Sequence, residues 1–199
     1  MLWGYPLGYR SRCGVSRHHR RAEADVTQDD DAKALEKSRA ETRAAFENRA
    51  LMYAYVFDEL EREVGLERAT EIMKRATYRR GLEIGAKYAK AAEKGDLEEV
   101  GRLFVQGSPC EGALFEPAVD QAPTEGVTVL RMTACPLVDA WRAAGYDADR
   151  VDLLCEMAAA VDYGTFEGAG LKLRFLDRRA CAGSDRCLLE LTAKGASTE

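Results

Sequence analysis

Three adjoining stretches decide the fold class: Leu171-Lys-Leu-Arg-Phe175, then Ala182-Gly-Ser-Asp185, then Cys187-Leu-Leu-Glu-Leu191. Leu171, Leu173 and Phe175 recur at every second position, and so do Cys187, Leu189 and Leu191. That is the side-chain period of a strand, and with a turn-rich segment between the two runs it predicts a β-hairpin with one face inward. Upstream the period changes. From Asp31 to Glu63 there is no Pro or Gly, and Phe46, Ala50, Tyr53, Phe57, Leu60 and Val64 recur at three- and four-residue steps, which predicts an amphipathic helix stopped by Gly65. A second helix is expected over 67–94, with Ile72, Met73, Ala76, Ile84 and Tyr88 near one face. Gly81 and Gly85 stack on one side of it at a cost of ~1 kcal/mol each relative to Ala, so a close approach of backbone or ligand should compensate.

Asp96, with Glu99 three residues on, reads as a capping box opening a third helix whose apolar face is Val100, Leu103 and Phe104. After Gly107 two strands are expected, the second containing Val127-Thr128-Val129-Leu130, joined by a turn around Pro123-Thr-Glu-Gly126. A short helix follows Cys135-Pro136, and another runs over 148–163 with Asp147 as its cap. Long N-terminal helices followed by a mixed strand and helix half ending in a hairpin make an α+β domain.

The chain has 199 residues, 46% of them hydrophobic and 32% charged, enough for one core over residues 32–199. Residues 1–31 read as a tail: Arg10, Arg12, Arg17, Arg20 and Arg21 stand in a start without acids, and Asp29-Asp30-Asp31 closes an acidic stretch. That start superficially suits a transit peptide, but a disordered extension or an upstream start is the preferred reading. No run approaches the ~18 apolar residues of a membrane helix. A net charge of −5 disfavours nucleic acid as a partner. Without a secretory signal the expected compartment is the cytoplasm; whether the chain is a homo-oligomer stays open. The only histidines, His18 and His19, lie in the tail, so the body has no imidazole for triads, zinc motifs or proton shuttles.

Chemistry in the body must therefore come from thiols, carboxylates and arginines. Cys135 precedes Pro136 at a helix start, where unpaired N–H groups favour thiolate. Cys155 shares a helix face with Val151, Ala158 and Asp162; Cys187 shares strand parity with Leu189 and Leu191; Cys181 precedes the hairpin turn. Cys155, Cys181 and Cys187 are candidate zinc ligands, Cys135 and Cys155 candidate nucleophiles, and each can equally be a buried small hydrophobe. Asp162 is a candidate acid/base whose burial would raise its pKa. Arg80, beside Gly81, could hold a substrate carboxylate bidentately, with Tyr78 and Trp141 as pocket wall.

Together, Arg49-Ala-Leu-Met-Tyr-Ala-Tyr-Val-Phe-Asp-Glu-Leu60, Tyr78-Arg-Arg-Gly-Leu-Glu-Ile-Gly85, Cys135-Pro-Leu-Val-Asp-Ala-Trp141, Leu154-Cys-Glu-Met157 and Gly183-Ser-Asp-Arg-Cys187 resemble the L-2-amino-thiazoline-4-carboxylic acid hydrolase family over residues 40–192. The last hairpin also resembles the 4-vinyl-reductase-like ligand sensors, in which cysteines at such places bind zinc; where those carry an acid, three residues before the first hairpin cysteine, this chain has Arg178. The first resemblance implies an enzyme of cysteine biosynthesis type chemistry: water adds to the amidine-like carbon of a cyclic isothiourea carboxylate and opens the ring toward a carbamoyl-cysteine. Cys135 or Cys155, or a water on thiolate-held zinc, would be the nucleophile, Asp162 the acid/base and Arg80 the carboxylate clamp. The second implies a non-enzymatic small-molecule-binding domain with a structural zinc.

Overall fold

The computed structural model describes residues 28–193. The expected tail, with Cys13, His18 and His19, lies outside the described residues except for its last four positions, which open the first helix. Five α-helices and four strands follow in the order α1 (Gln28–Val64), α2 (Leu66–Glu93), α3 (Leu97–Gln106), β1 (Pro117–Thr124), β2 (Val127–Met132), α4 (Pro136–Ala143), α5 (Ala148–Gly168), β3 (Lys172–Asp177) and β4 (Cys187–Thr192), with a short 3-10 turn at Pro109–Gly112. The class is α+β, as the periodicities require. No helix among the described residues is long and apolar enough to cross a membrane.

On α1 the stripe buries Ala50, Ala54 and Phe57 completely, with Phe46, Tyr53 and Leu60 half-buried beside them. Val64, expected on the same stripe, is exposed because Gly65 (φ 79°) reverses the chain and leaves the last turn uncovered. The inward row of α2 is Ala69, Met73, Thr77, Gly81, Gly85 and Tyr88. Because that row advances by fours, Ala76 falls off it and faces solvent, while Ile72 and Ile84 flank it half-buried.

The two glycines of α2 meet α5 backbone to backbone. A Cβ on Gly81 would sit 2.2 Å from the Val161 carbonyl oxygen, one on Gly85 2.4 Å from that of Thr165, and one on Gly164 2.1 Å from that of Tyr78. The compensation for two helix-breaking glycines is therefore backbone contact, reinforced by the buried Thr77 hydroxyl, which donates across the interface to the Met157 carbonyl at 2.7 Å. The caps follow the sequence with one difference. Asp96 accepts from the Glu99 N–H at 3.0 Å and Asp147 from the Arg150 N–H at 2.8 Å. Glu99 does not close the box: the Asp96 N–H is already bonded to the Ala91 carbonyl, and the Glu99 carboxylate turns to Arg102.

The strands form one antiparallel sheet in the order β1-β2-β4-β3. Glu125 and Gly126 turn β1 into β2 with φ of 53° and 80°, the pair of positive angles that a two-residue hairpin turn needs. Phe166 of α5 and Ala169 just after it close on Leu130, Leu173, Leu189 and Leu191 of the sheet. Leu154, Cys155 and Met157, earlier on the same helix, close on Phe57, Leu137 and Trp141, whose indole N–H donates to the Ala50 carbonyl at 2.7 Å. So α5 belongs to two apolar clusters, one helical and one built on the sheet.

Candidate functional site

A cavity of about 330 Å³ lies where the two clusters meet. Leu137, Val138, Trp141 and Cys155 line it from the helical side, and Tyr88, Phe166 and Cys187 from the sheet side. That volume is at the small end of the roughly 300–1,000 Å³ typical of ligand pockets. Aromatic rings make much of the wall, with Phe46 and Phe115 in edge-to-face contact at 5.3 Å on one side.

Asp162 lines this cavity from α5. It makes no hydrogen bond and no ion pair among the described residues, and it is half-buried in the cavity wall. Burial pushes its carboxyl from the ordinary 3.8 up to about 7, against a weaker downward pull from the Arg49 guanidinium. Its charge acts on two neighbours: Tyr88 is pushed up to about 12, by burial first and Asp162 second, and Cys187 to about 11, with burial the main cause. A carboxyl half-ionised near neutrality in a cavity wall is poised to take or give a proton.

The exposed rim carries two cations, Arg49 and Lys87, neither in an ion pair or hydrogen bond among the described residues. Arg49 lies over the Phe46 ring at 4.3 Å and Lys87 over the Tyr88 ring at 4.9 Å. Most other arginines are paired, so two free cations at the mouth of an acid-containing cavity favour an anionic ligand.

Three of the cysteines meet here. Cys135, Cys155 and Cys187 all line the cavity, and the charge of either Cys135 or Cys187 would raise Cys155. The thiolate character expected of Cys135 is not found. Cys135 does cap α4 ahead of Pro136, and the N–H groups of Leu137 and Val138 and the Arg179 charge pull its thiol down, but burial outweighs them and it is raised. Burial drives Cys155 strongly upward too. Cys187 accepts the Arg179 N–H at 3.3 Å. Desolvation is the larger effect at all three, so at neutral pH they are thiols.

Cys181 is elsewhere. It lies in a separate recess with Arg142, Tyr146 and Val151, its sulfur 3.5 Å from an oxygen of Asp152, which also holds Arg178 at 2.8 Å. Cys155, Cys181 and Cys187 are thus not assembled, and among the described residues no group of three His, Cys, Asp or Glu side chains stands as a metal site requires. A zinc needs three or four ligands at ~2.0–2.3 Å; this donor set does not fit one. Arg80 is outside the cavity as well, exposed and paired with Glu83 at 2.6 Å one turn along α2. Tyr78 faces an outer cleft and donates to Glu167 at 2.8 Å. Trp141 is cavity wall.

Sequence reasoning missed Arg49 and Lys87. A signal was present for the first: Arg49 flanks the apolar stripe of α1 between Phe46 and Ala50, where a cation overlooks whatever the stripe covers. Lys87 carried none, standing in a helix with many lysines and arginines.

A family model described as L-2-amino-thiazoline-4-carboxylic acid hydrolase matches residues 43–190. No curated protein and no solved structure matches the chain.

Proposed function

The chain belongs to the L-2-amino-thiazoline-4-carboxylic acid hydrolase family, and from that premise we propose that it hydrolyses a small cyclic isothiourea or amidine-like carboxylic acid, with Asp162 moving the protons. One observation carries the reading: a carboxyl raised to about 7, with no partner, facing a cavity of small-ligand size. The substrate carboxylate binds the rim cations Arg49 and Lys87, and the apolar walls hold the ring against Asp162. The oxygen of a water bonds to the amidine-like carbon while ionised Asp162 takes one of its protons and passes it to the ring nitrogen. The ring carbon–sulfur bond then breaks with its electron pair on sulfur, Asp162 relays the remaining hydroxyl proton to that sulfur, and a carbonyl forms. One water is consumed and the product is a carbamoyl-cysteine.

A cysteine route is the second reading, favoured by one observation: Cys135, Cys155 and Cys187 line the same cavity as Asp162. There Asp162 would deprotonate a thiol rather than water, the more so because none of the three thiols is ionised on its own.

The test is turnover of L-2-amino-thiazoline-4-carboxylate by the full chain. Asp162→Asn should lower kcat on the order of 100-fold or more with KM little changed, the range expected for losing a general acid/base. A variant within threefold of the parent would end the Asp162 reading. Cys135→Ser, Cys155→Ser and Cys187→Ser, made singly, should retain turnover on the water route, and the loss of it in any one selects the cysteine route. If the ligand raises Tm yet no product forms, the chain is a binding module.

A further inference from the structure

The cavity shares a wall with a second, larger space. On the outer side of α5 lies a cleft of about 720 Å³, lined by Lys74, Arg75 and Tyr78 of α2, by Glu156 and Tyr163 of α5, and by Arg178. Two residues, Ala159 and Phe175, line both this cleft and the Asp162 cavity. Ala159 is a methyl group fixed on a helix that is packed to backbone contact against α2, so it can neither move nor block much. Phe175 is a half-buried ring leaning on Tyr163, with centroids 5.6 Å apart.

Its backbone stands at a break in the sheet. β3 is an edge strand bonded only to β4, and its register breaks directly after Phe175, which pairs with Leu189 while Asp177 pairs with Leu188. The intervening Leu176 is 45% exposed. A one-residue irregularity on an edge strand locally loosens the ladder and re-aims side chains.

We propose that Phe175 is the specificity-determining partition of this site: its ring closes the inner chamber and limits it to a ring and a carboxylate, and a ligand with a longer substituent is admitted only by displacing that ring into the outer cleft. The cleft suits a polar substituent, with Arg75 and the Glu167 carboxylate both on its wall. Its other cations are engaged, Lys74 with Glu156 and Arg178 with Asp152, whereas Arg75 has no ion pair among the described residues. The proposal rests on the preceding reading only in taking the cavity as the ligand site.

Alkylation of Cys155 tests it without turnover, read peptide by peptide by mass spectrometry on the full chain at one pH. The raised thiol makes every rate slow, but comparing a small reagent, iodoacetamide, with a bulky one, N-(1-pyrenyl)maleimide, within each variant cancels that factor. Phe175→Ala should speed the bulky reagent about tenfold relative to the small one, as expected when a wall and not chemistry limits access. Phe175→Leu should lie between, and Phe175→Trp should slow the bulky reagent below the parent. An unchanged ratio across the Leu and Trp variants overturns the proposal, and so does an equal acceleration of both reagents, which would mean general loosening. Failed hydrolysis with the expected ratios would sink the enzymatic reading and leave the partition standing.

Discussion

The two sides of α5 are built on opposite principles. Toward α2, Gly164 and the glycines of α2 remove side chains altogether, and the helices touch through their backbones. Toward the sheet and α4, Cys155 and Asp162 face a space that is left unfilled. Interiors are normally packed to crystal density, so a void with an unpartnered acid is a standing cost. The glycine seam explains how the cost is sustained: a helix clamped by backbone contact on one side cannot collapse into the cavity on the other. Rigidity on the packed face holds the open one in place.

The comparison breaks most readily at Asp162. In the folded chain its carboxyl holds a proton up to about pH 7, whereas unfolded it ionises near 3.8. The native state therefore binds more proton between those values, and the stability this group contributes is complete below pH 4, falls as pH rises, and is lost above pH 7. Asp162→Asn, inactive by the argument above, should thus melt higher than the parent at pH 8, with the difference shrinking toward pH 4; a pH-independent difference would contradict the burial of this carboxyl. The seam comes next. Gly164→Ala and Gly81→Ala gain helix propensity yet should destabilise by about 2–3 kcal/mol, because the added methyl meets a carbonyl that cannot retreat. Urea unfolding measures this, and a gain in stability would show that the helices do not touch.

Smaller effects sharpen the contrast. Arg49→Ala should raise KM about tenfold with kcat nearly unchanged, the loss of one uniform charge contact. Thr77→Val should cost about 1 kcal/mol for its hydrogen bond to Met157, read as a shift in the urea midpoint. Arg80→Ala, on the exposed side of α2, should change neither KM nor Tm measurably; a raised KM would return the carboxylate clamp to Arg80.

The elements were largely legible because each rests on local periodicity. The alternation of Leu171, Leu173 and Phe175 against Cys187, Leu189 and Leu191 fixed the hairpin, and Asp96 and Asp147 fixed two helix starts. Gly81 and Gly85 announced a close approach. The site was legible in part: Cys155 and Asp162 could be placed on one helix face and Cys187 on the inward side of its strand, and they share one cavity. Arg80 misled because its neighbour Gly81 faces α5, and one residue along a helix turns a side chain by ~100°. Cys181 misled because it sits in a loop, where no period governs direction.

What the sequence alone determined is the class of chemistry: a body without imidazole, carrying thiols, one inward acid and many arginines, under a pattern of long helices and a terminal hairpin. Which of those groups meet, and in what ionic state, belonged to the tertiary structure. Desolvation depends on everything packed around a group, so a thiol at a helix start, lowered by local rules, is raised by its burial, while burial also raises the Asp162 carboxyl to about 7.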